Sequence, residues 1–222
     1  MTDLSLSLLD YFVMGGIIMW PLLFFSIATV AITLERFLFL VRNNLQTDDL
    51  KIKVSEFICA GKPDEARTYL QELGEKRMGA RILLAIINRV PAGNDRDSNT
   101  GETITEHRME KAAEAEAMTC ISSLESGLNF LIALGSISPL TGFLGTVTGM
   151  IGAFRSISEA EEVSAQIVAN GIYEALITTV FGLVIAIIAM VSHSLITNKV
   201  DRFTTDVEKT CSDLINEIMD SR

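Results

Sequence analysis

Positive charge is scarce in this 222-residue chain: 18 lysines and arginines stand against 28 aspartates and glutamates, a formal net charge of −10. That balance, with the basic residues largely offset by acidic neighbours, argues against a nucleic-acid partner. Cysteine is sparse too. Cys59, Cys120 and Cys211 form no CxxC pair, and all three fall on segments read below as cytoplasmic, which favours reduced, structural thiols. No HExxH, GxSxG, P-loop or GxGxxG motif is present, and the neighbours Ser192 and His193 point to different faces of a helix. Neither an intramembrane enzyme nor a cofactor or metal site is therefore expected. Aromatic residues make up only 7% of the chain, yet 49% is hydrophobic and 21% charged. With a mean hydropathy of +0.36, the apolar residues must be clustered rather than spread.

Three clusters appear, Gly15 to Leu34, Leu128 to Phe154 and Ala175 to Ile196. Each is long enough, at ~1.5 Å per residue, to cross a hydrocarbon layer of ~30 Å. Core helices of soluble proteins rarely stay uncharged over such lengths. The expectation is an all-α membrane protein with three transmembrane helices, its long helices extending into a cytoplasmic helical domain. Its segments are an outer arm (1–14), a first span (15–41), a cytoplasmic helical region (42–126), a second span (127–154), a short outer link (155–170), a third span (171–196) and a cytoplasmic C-terminal helix (197–222). Lysine and arginine set the orientation: residues 1–14 hold none, the segment from Arg42 to Lys111 holds twelve, the outer link holds Arg155, and the tail holds Lys199, Arg202, Lys209 and Arg222. This asymmetry predicts an outer amino terminus and a cytoplasmic carboxyl terminus.

The arm, with its alternating LSLSLLDYF, could lie as an amphipathic turn on the membrane surface before Gly15-Gly16. It has no basic n-region and no cleavage motif after the apolar run, so a cleaved signal peptide is not expected. In the first span Trp20 and Pro21 sit near the outer end, and Glu35-Arg36 reads as an inner interfacial anchor with Arg36 reaching the headgroups. The cytoplasmic region predicts helices over Asp48–Ala60, from Pro63 with Asp64 and Glu65 behind it, and over Met78–Val90. Pro91–Gly101 reads as a loop. From there a helix-forming run leads straight into the second span as one rod carrying His107, a solvated surface histidine. In the tail, Val200, Phe203, Val207, Leu214 and Ile218 recur at helical spacing and should pack on that rod.

The second span is dense in small residues. Gly142, Gly145, Gly149 and Gly152 recur at spacings of three, four and three, a stripe that lets another helix approach backbone to backbone. Pro139 frees the carbonyl four residues earlier and should kink the helix or thin its hydrogen bonding near Gly135 and Ser136. Ser136, Ser138, Thr141, Thr146 and Thr148 offer hydroxyls along the same span. The third span holds the leading functional candidate. From Ala175 to Val191 there are seventeen residues without a charge, and Glu174 precedes them. A charge near the middle of a membrane costs roughly 2.5 to 3.5 kcal/mol, so such a residue faces a protein interior or a wet cavity. Thr178, four residues on, lies almost on the face of Glu174, whereas Thr179 is turned by about 140°. That face continues through Ile185, Ala189 and Ser192.

At SPLTGFLGTVTGMIGAF followed by GIYEALITTVFGLVIAI, the chain resembles the MotA/TolQ/ExbB family of proton-channel subunits, most closely its ExbB and TolQ branch. The first span, GG…MWP…ERFLFL, and the helical insert are similar more loosely, and the MotA branch would require four spans. The resemblance implies an inner-membrane pentamer in the lipid bilayer whose second and third spans enclose a pore. An ExbD- or TolR-like dimer of single-span subunits would occupy that pore, and proton flow would energise a TonB-like or TolA-like protein. It also implies that Glu174 is the family glutamate, Thr146 of GTV the pore threonine and Thr179 of EALITT the third-span threonine. The chain departs from the family where a proline usually follows VAI, reading Ile187, Ile188 and Ala189, so a straighter third helix is expected. A gliding-type motor of the same family and a non-conducting scaffold, with Glu174 buried against Thr178, are the alternative readings.

Overall fold

The computed structural model describes residues 8–43, 45–74, 77–90, 99–160 and 165–220. All regular elements among them are helices: α1 (Leu8–Met14), α2 (Met19–Arg42), α3 (Asp48–Cys59), α4 (Pro63–Gly74), α5 (Met78–Ile87), α6 (Asn99–Glu125), α7 (Leu128–Glu159) and α8 (Ala165–Asp220). Three apolar stretches long enough to cross a membrane lie on α2, α7 and α8. The chain is an all-α membrane protein.

The helix ends follow local chemistry. Gly61, at φ +70°, closes α3: its N–H donates to the Ile58 carbonyl and the Lys62 N–H to that of Phe57, both at 2.9 Å. These are the paired bonds of a left-handed glycine cap. Pro63 then opens α4 with Asp64 and Glu65 behind it, placing negative charge at the helix's positive end. Elsewhere the helices outrun or fall short of expectation. α7 runs through Pro139 to Glu159 and α8 begins at Ala165, so much of the expected outer link is helix, braced by an Arg155–Glu159 ion pair at 2.9 Å. The expected single rod is interrupted at Ser126 and Gly127, where Gly127 turns left-handed at φ 82° between α6 and α7. The helix expected over Met78–Val90 stops at Ile87. Of the loop read over Pro91–Gly101, residues 91–98 lie outside the described residues, and Asn99 already starts α6. The first seven residues of the outer arm also lie outside them.

The chain divides into two compact units, Met1–Glu35 with Gly127–Leu195, and Arg36–Ser126 with Ile196–Arg222. In the second, Leu50, Leu70, Ile82, Leu83, Ile86, Met109 and Leu124 form an apolar core, and Val200, Phe203, Val207, Leu214 and Ile218 are buried as their spacing predicts. The tail of α8 meets α3 as well as α6: Lys51 reaches Asp213 at 2.5 Å and Ser55 donates to Glu217. Arg36 does more than reach for headgroups. Its Nη1 donates to the Ser123 carbonyl at 3.2 Å, placing a cation on the last turn of α6, where the carbonyls lack intrahelical donors. Cys120 and Cys211 are buried thiols, and burial pushes Cys211 up to about 12. Cys59, by contrast, is exposed and donates to Glu217 at 3.3 Å, so it is no core thiol.

Candidate functional site

The first unit is built on the crossing of α7 and α8. A methyl group at Gly142 would come 2.8 Å from the Thr178 carbonyl oxygen, one at Gly182 would come 2.6 Å from that of Ser138, and one at Gly149 would come 3.1 Å from that of Gly171. Gly145 faces the Thr178 side chain just as closely. At Gly142 and Gly149 the backbones of the two helices lie close enough that a larger residue would hold them apart, and at Gly145 the neighbour is the Thr178 side chain. Gly152 departs from the stripe, with no atom within 4 Å. On α8 the matching small residues are Gly171, Ala175, Thr178 and Gly182. Their spacings of four, three and four carry a helical signal in the sequence, diluted there because only two are glycine.

This crossing orients the hydroxyls. Thr178 is 1% exposed and its Oγ1 donates to the Ala175 carbonyl at 2.8 Å, with the Gly142 carbonyl at 3.4 Å. Thr179, on the neighbouring face, also reaches the Gly142 carbonyl, at 3.3 Å. The carbonyl of one glycine therefore receives hydroxyls from both third-helix threonines. Thr146 donates to Phe143 within its own helix at 2.6 Å.

Glu174 is half-buried, one turn before Thr178 on α8. On one side it faces a cavity of about 650 Å³ lined by Thr148, Ser156, Asn170 and Tyr173, together with Met14 and Gly152. On the other side its carboxylate lies against Gly16, in the space a side chain at that position would fill. The structure brings together Glu174, Thr178 and the glycine crossing, and it places Thr148 rather than Thr146 in the cavity beside the carboxylate. Thr148, Ser156, Asn170 and Gly16 were not singled out as site residues. Thr148 was visible as one more span hydroxyl, but nothing in the sequence ties Gly16 to a residue so far along the chain. His107 is 65% exposed and 3.9 Å from Glu110, a surface residue. No group of three or more histidine, cysteine, aspartate or glutamate side chains among the described residues could hold a metal ion.

Comparison with known proteins agrees with this architecture. The model of the MotA/TolQ/ExbB proton channel family matches residues 75–209. The chain is 33% identical over 191 residues to a putative biopolymer transport protein ExbB-like 1 of Synechocystis, covering 82% of this chain and 68% of that one. It is 27% identical over 192 residues to the biopolymer transport protein ExbB of Salmonella typhimurium, covering 86% and 72%. A shorter match, 41% over 86 residues, links it to the Tol-Pal system protein TolQ of Haemophilus influenzae, covering 39% of this chain and 38% of that protein. With its glycine-lined helix crossing, a half-buried carboxylate on α8 and a family match over more than half its length, the chain belongs to the MotA/TolQ/ExbB proton channel family.

Proposed function

We propose that this chain is the multi-span subunit of a proton-driven motor in a bacterial inner membrane, with Glu174 as its coupling carboxylate and Thr146, Thr178 and Thr179 on the proton path. The observation that carries this reading is the setting of Glu174. A single carboxylate stands at the outer end of an uncharged span, beside a cavity whose lining includes two hydroxyl side chains, an amide and a phenol. A carboxyl placed there exchanges protons with water on one side, while threonine hydroxyls offer both a donor and acceptor lone pairs beyond it. Each proton crossing is worth about 2.3 kcal/mol per 100 mV of membrane potential, enough to bias two helix packings of similar energy.

Family membership supports the assembly: several copies of this chain, in the pentameric reading, around a dimer of ExbD- or TolR-like single-span subunits. The output passes to a TonB-like or TolA-like protein acting on the outer membrane. The distribution of lysine and arginine supports an outer amino terminus and a cytoplasmic carboxyl terminus. The scaffold alternative would neutralise Glu174 by hydrogen bonding from Thr178. Against it, the Thr178 hydroxyl already donates to Ala175.

The test is proton flux into liposomes holding the chain and the single-span subunit of its own genome, under an imposed potential. Glu174→Gln is expected to abolish flux that requires both subunits. Equal flux in native and substituted proteins would reduce Glu174 to a packing residue and bring the scaffold reading forward.

A further inference from the structure

The Gly15–Gly16 turn lies between α1 and α2, and its second glycine lies against Glu174. Gly16 has φ +69°, a conformation that a residue with a Cβ adopts only under strain. The Glu174 carboxylate occupies the volume that such a Cβ would need, with Cδ 3.0 Å and Cγ 3.7 Å from its position. Left-handed backbone thus favours glycine at this residue, and any Cβ there would displace the end of the Glu174 side chain.

The turn is anchored rather than merely adjacent. Gly15 N–H donates to the Tyr11 carbonyl at 3.0 Å and Met19 N–H to that of Gly16 at 3.2 Å. Met19 and Leu22 pack with Ile177 and Ile185 of α8 in one buried cluster, joined by Tyr11, Phe12 and Ile18. The rings of Phe12 and Trp20 meet edge to face at 5.4 Å, tying α1 to α2 across the turn. Ile177 lies three residues after Glu174, on nearly the same face of α8, and comes within 3.3 Å of where a Gly15 methyl would sit. The same hydrophobic contact that holds the turn against α8 therefore holds it against the carboxylate.

We infer that Gly16 is a positioning residue for Glu174: the turn is a backbone seat that sets where the carboxylate stands between the helix packing and the outer cavity. This rests on Glu174 being the coupling carboxylate. A side chain at position 16 would drive the carboxylate toward the cavity or lift the turn off α8, and proton transfer through Glu174 would fail in either case.

The test uses the full chain with its single-span subunit in liposomes and compares Gly16→Ala and Gly16→Asn with Gly61→Ala. Asparagine tolerates left-handed backbone, so Gly16→Asn adds volume with less strain. Gly61, at φ +70° with nothing within 4 Å, reports strain alone. Flux is expected to fall severalfold or more in both Gly16 variants and to stay at the native level in Gly61→Ala. Thermal unfolding in detergent of Gly16→Asn, Glu174→Ala and the double variant supplies a readout independent of flux. The loss of melting temperature caused by Gly16→Asn is expected to vanish once Glu174 is truncated. Native flux in Gly16→Asn, or purely additive losses in the cycle, would overturn the seat. Native flux in Glu174→Gln beside non-additive losses would instead sink the motor reading while leaving the contact itself established.

Discussion

Thr29 has its hydroxyl buried in α2, 1% exposed and without a hydrogen-bond partner. A buried polar group left unpaired costs about 1 to 3 kcal/mol. Thr29→Val keeps the shape and removes that penalty, so the variant should melt higher than the native protein in detergent; a lower melting temperature would mean the hydroxyl has a partner in the assembled protein. Glu174 is the contrasting case, a half-buried carboxylate beside a cavity whose lining includes hydroxyls and an amide. It was legible in the sequence because one charge beside a long uncharged run has few explanations. Gly16 was not, since its role lies in a contact between the first turn of the structure and the third span, and sequence periodicity carries no information at that separation. Arg36 was half legible: the reading had it reach for lipid, where the fold supplies the open carbonyls of α6.

At the scale of the helix, hydrophobic run length revealed the three spans but not their ends. Arg155 and Glu159 extend α7 beyond the apolar stretch because polar side chains pair along a helix, i to i+4, as readily as they leave it. The break at Gly127 escaped notice for the converse reason: it falls between the helix-forming run before Cys120 and the long apolar span after Leu128, and one left-handed glycine interrupts them. The glycine stripe was legible from its spacing, and the crossing sharpens it into a graded prediction. Adding a methyl in a close-packed contact costs typically about 1 to 3 kcal/mol. Gly142→Ala and Gly182→Ala should therefore lower the melting temperature distinctly, because the atoms they would meet are backbone oxygens 2.8 and 2.6 Å away. Gly152→Ala, with open space before it, should raise it slightly, since alanine favours helix over glycine. Similar gains at all three would show that helix propensity, which favours alanine over glycine by about 1 kcal/mol, rather than the crossing, governs these sites.

For the molecule as a whole, the most apolar stretches of the three spans are only 11%, 28% and 39% buried within the chain, so most of their surface is left to lipid or to other subunits. The second unit can be probed by pH. The Lys51 ammonium holds the Asp213 carboxyl below its ordinary 3.8, which makes the carboxylate a net contributor in the folded state. Its contribution is complete above that ordinary value and is lost as pH falls through the lower, folded one. Lys51→Met should flatten this part of the acid-unfolding curve followed by circular dichroism, with little change near neutrality because the pair is partly exposed. An acid limb identical to the native one would show that the pair adds nothing to stability.

The helix crossing also limits how the sequence can drift. Where backbone meets backbone, at Gly142 and Gly182, the permitted alphabet shrinks nearly to one letter, and a change on one helix cannot be offset by trimming its partner, because the atoms it would meet are all backbone. The outward faces of the same spans accept almost any hydrocarbon side chain. Two neighbouring positions on one helix are thus constrained by opposite rules, and packing alone is enough to hold the glycines fixed.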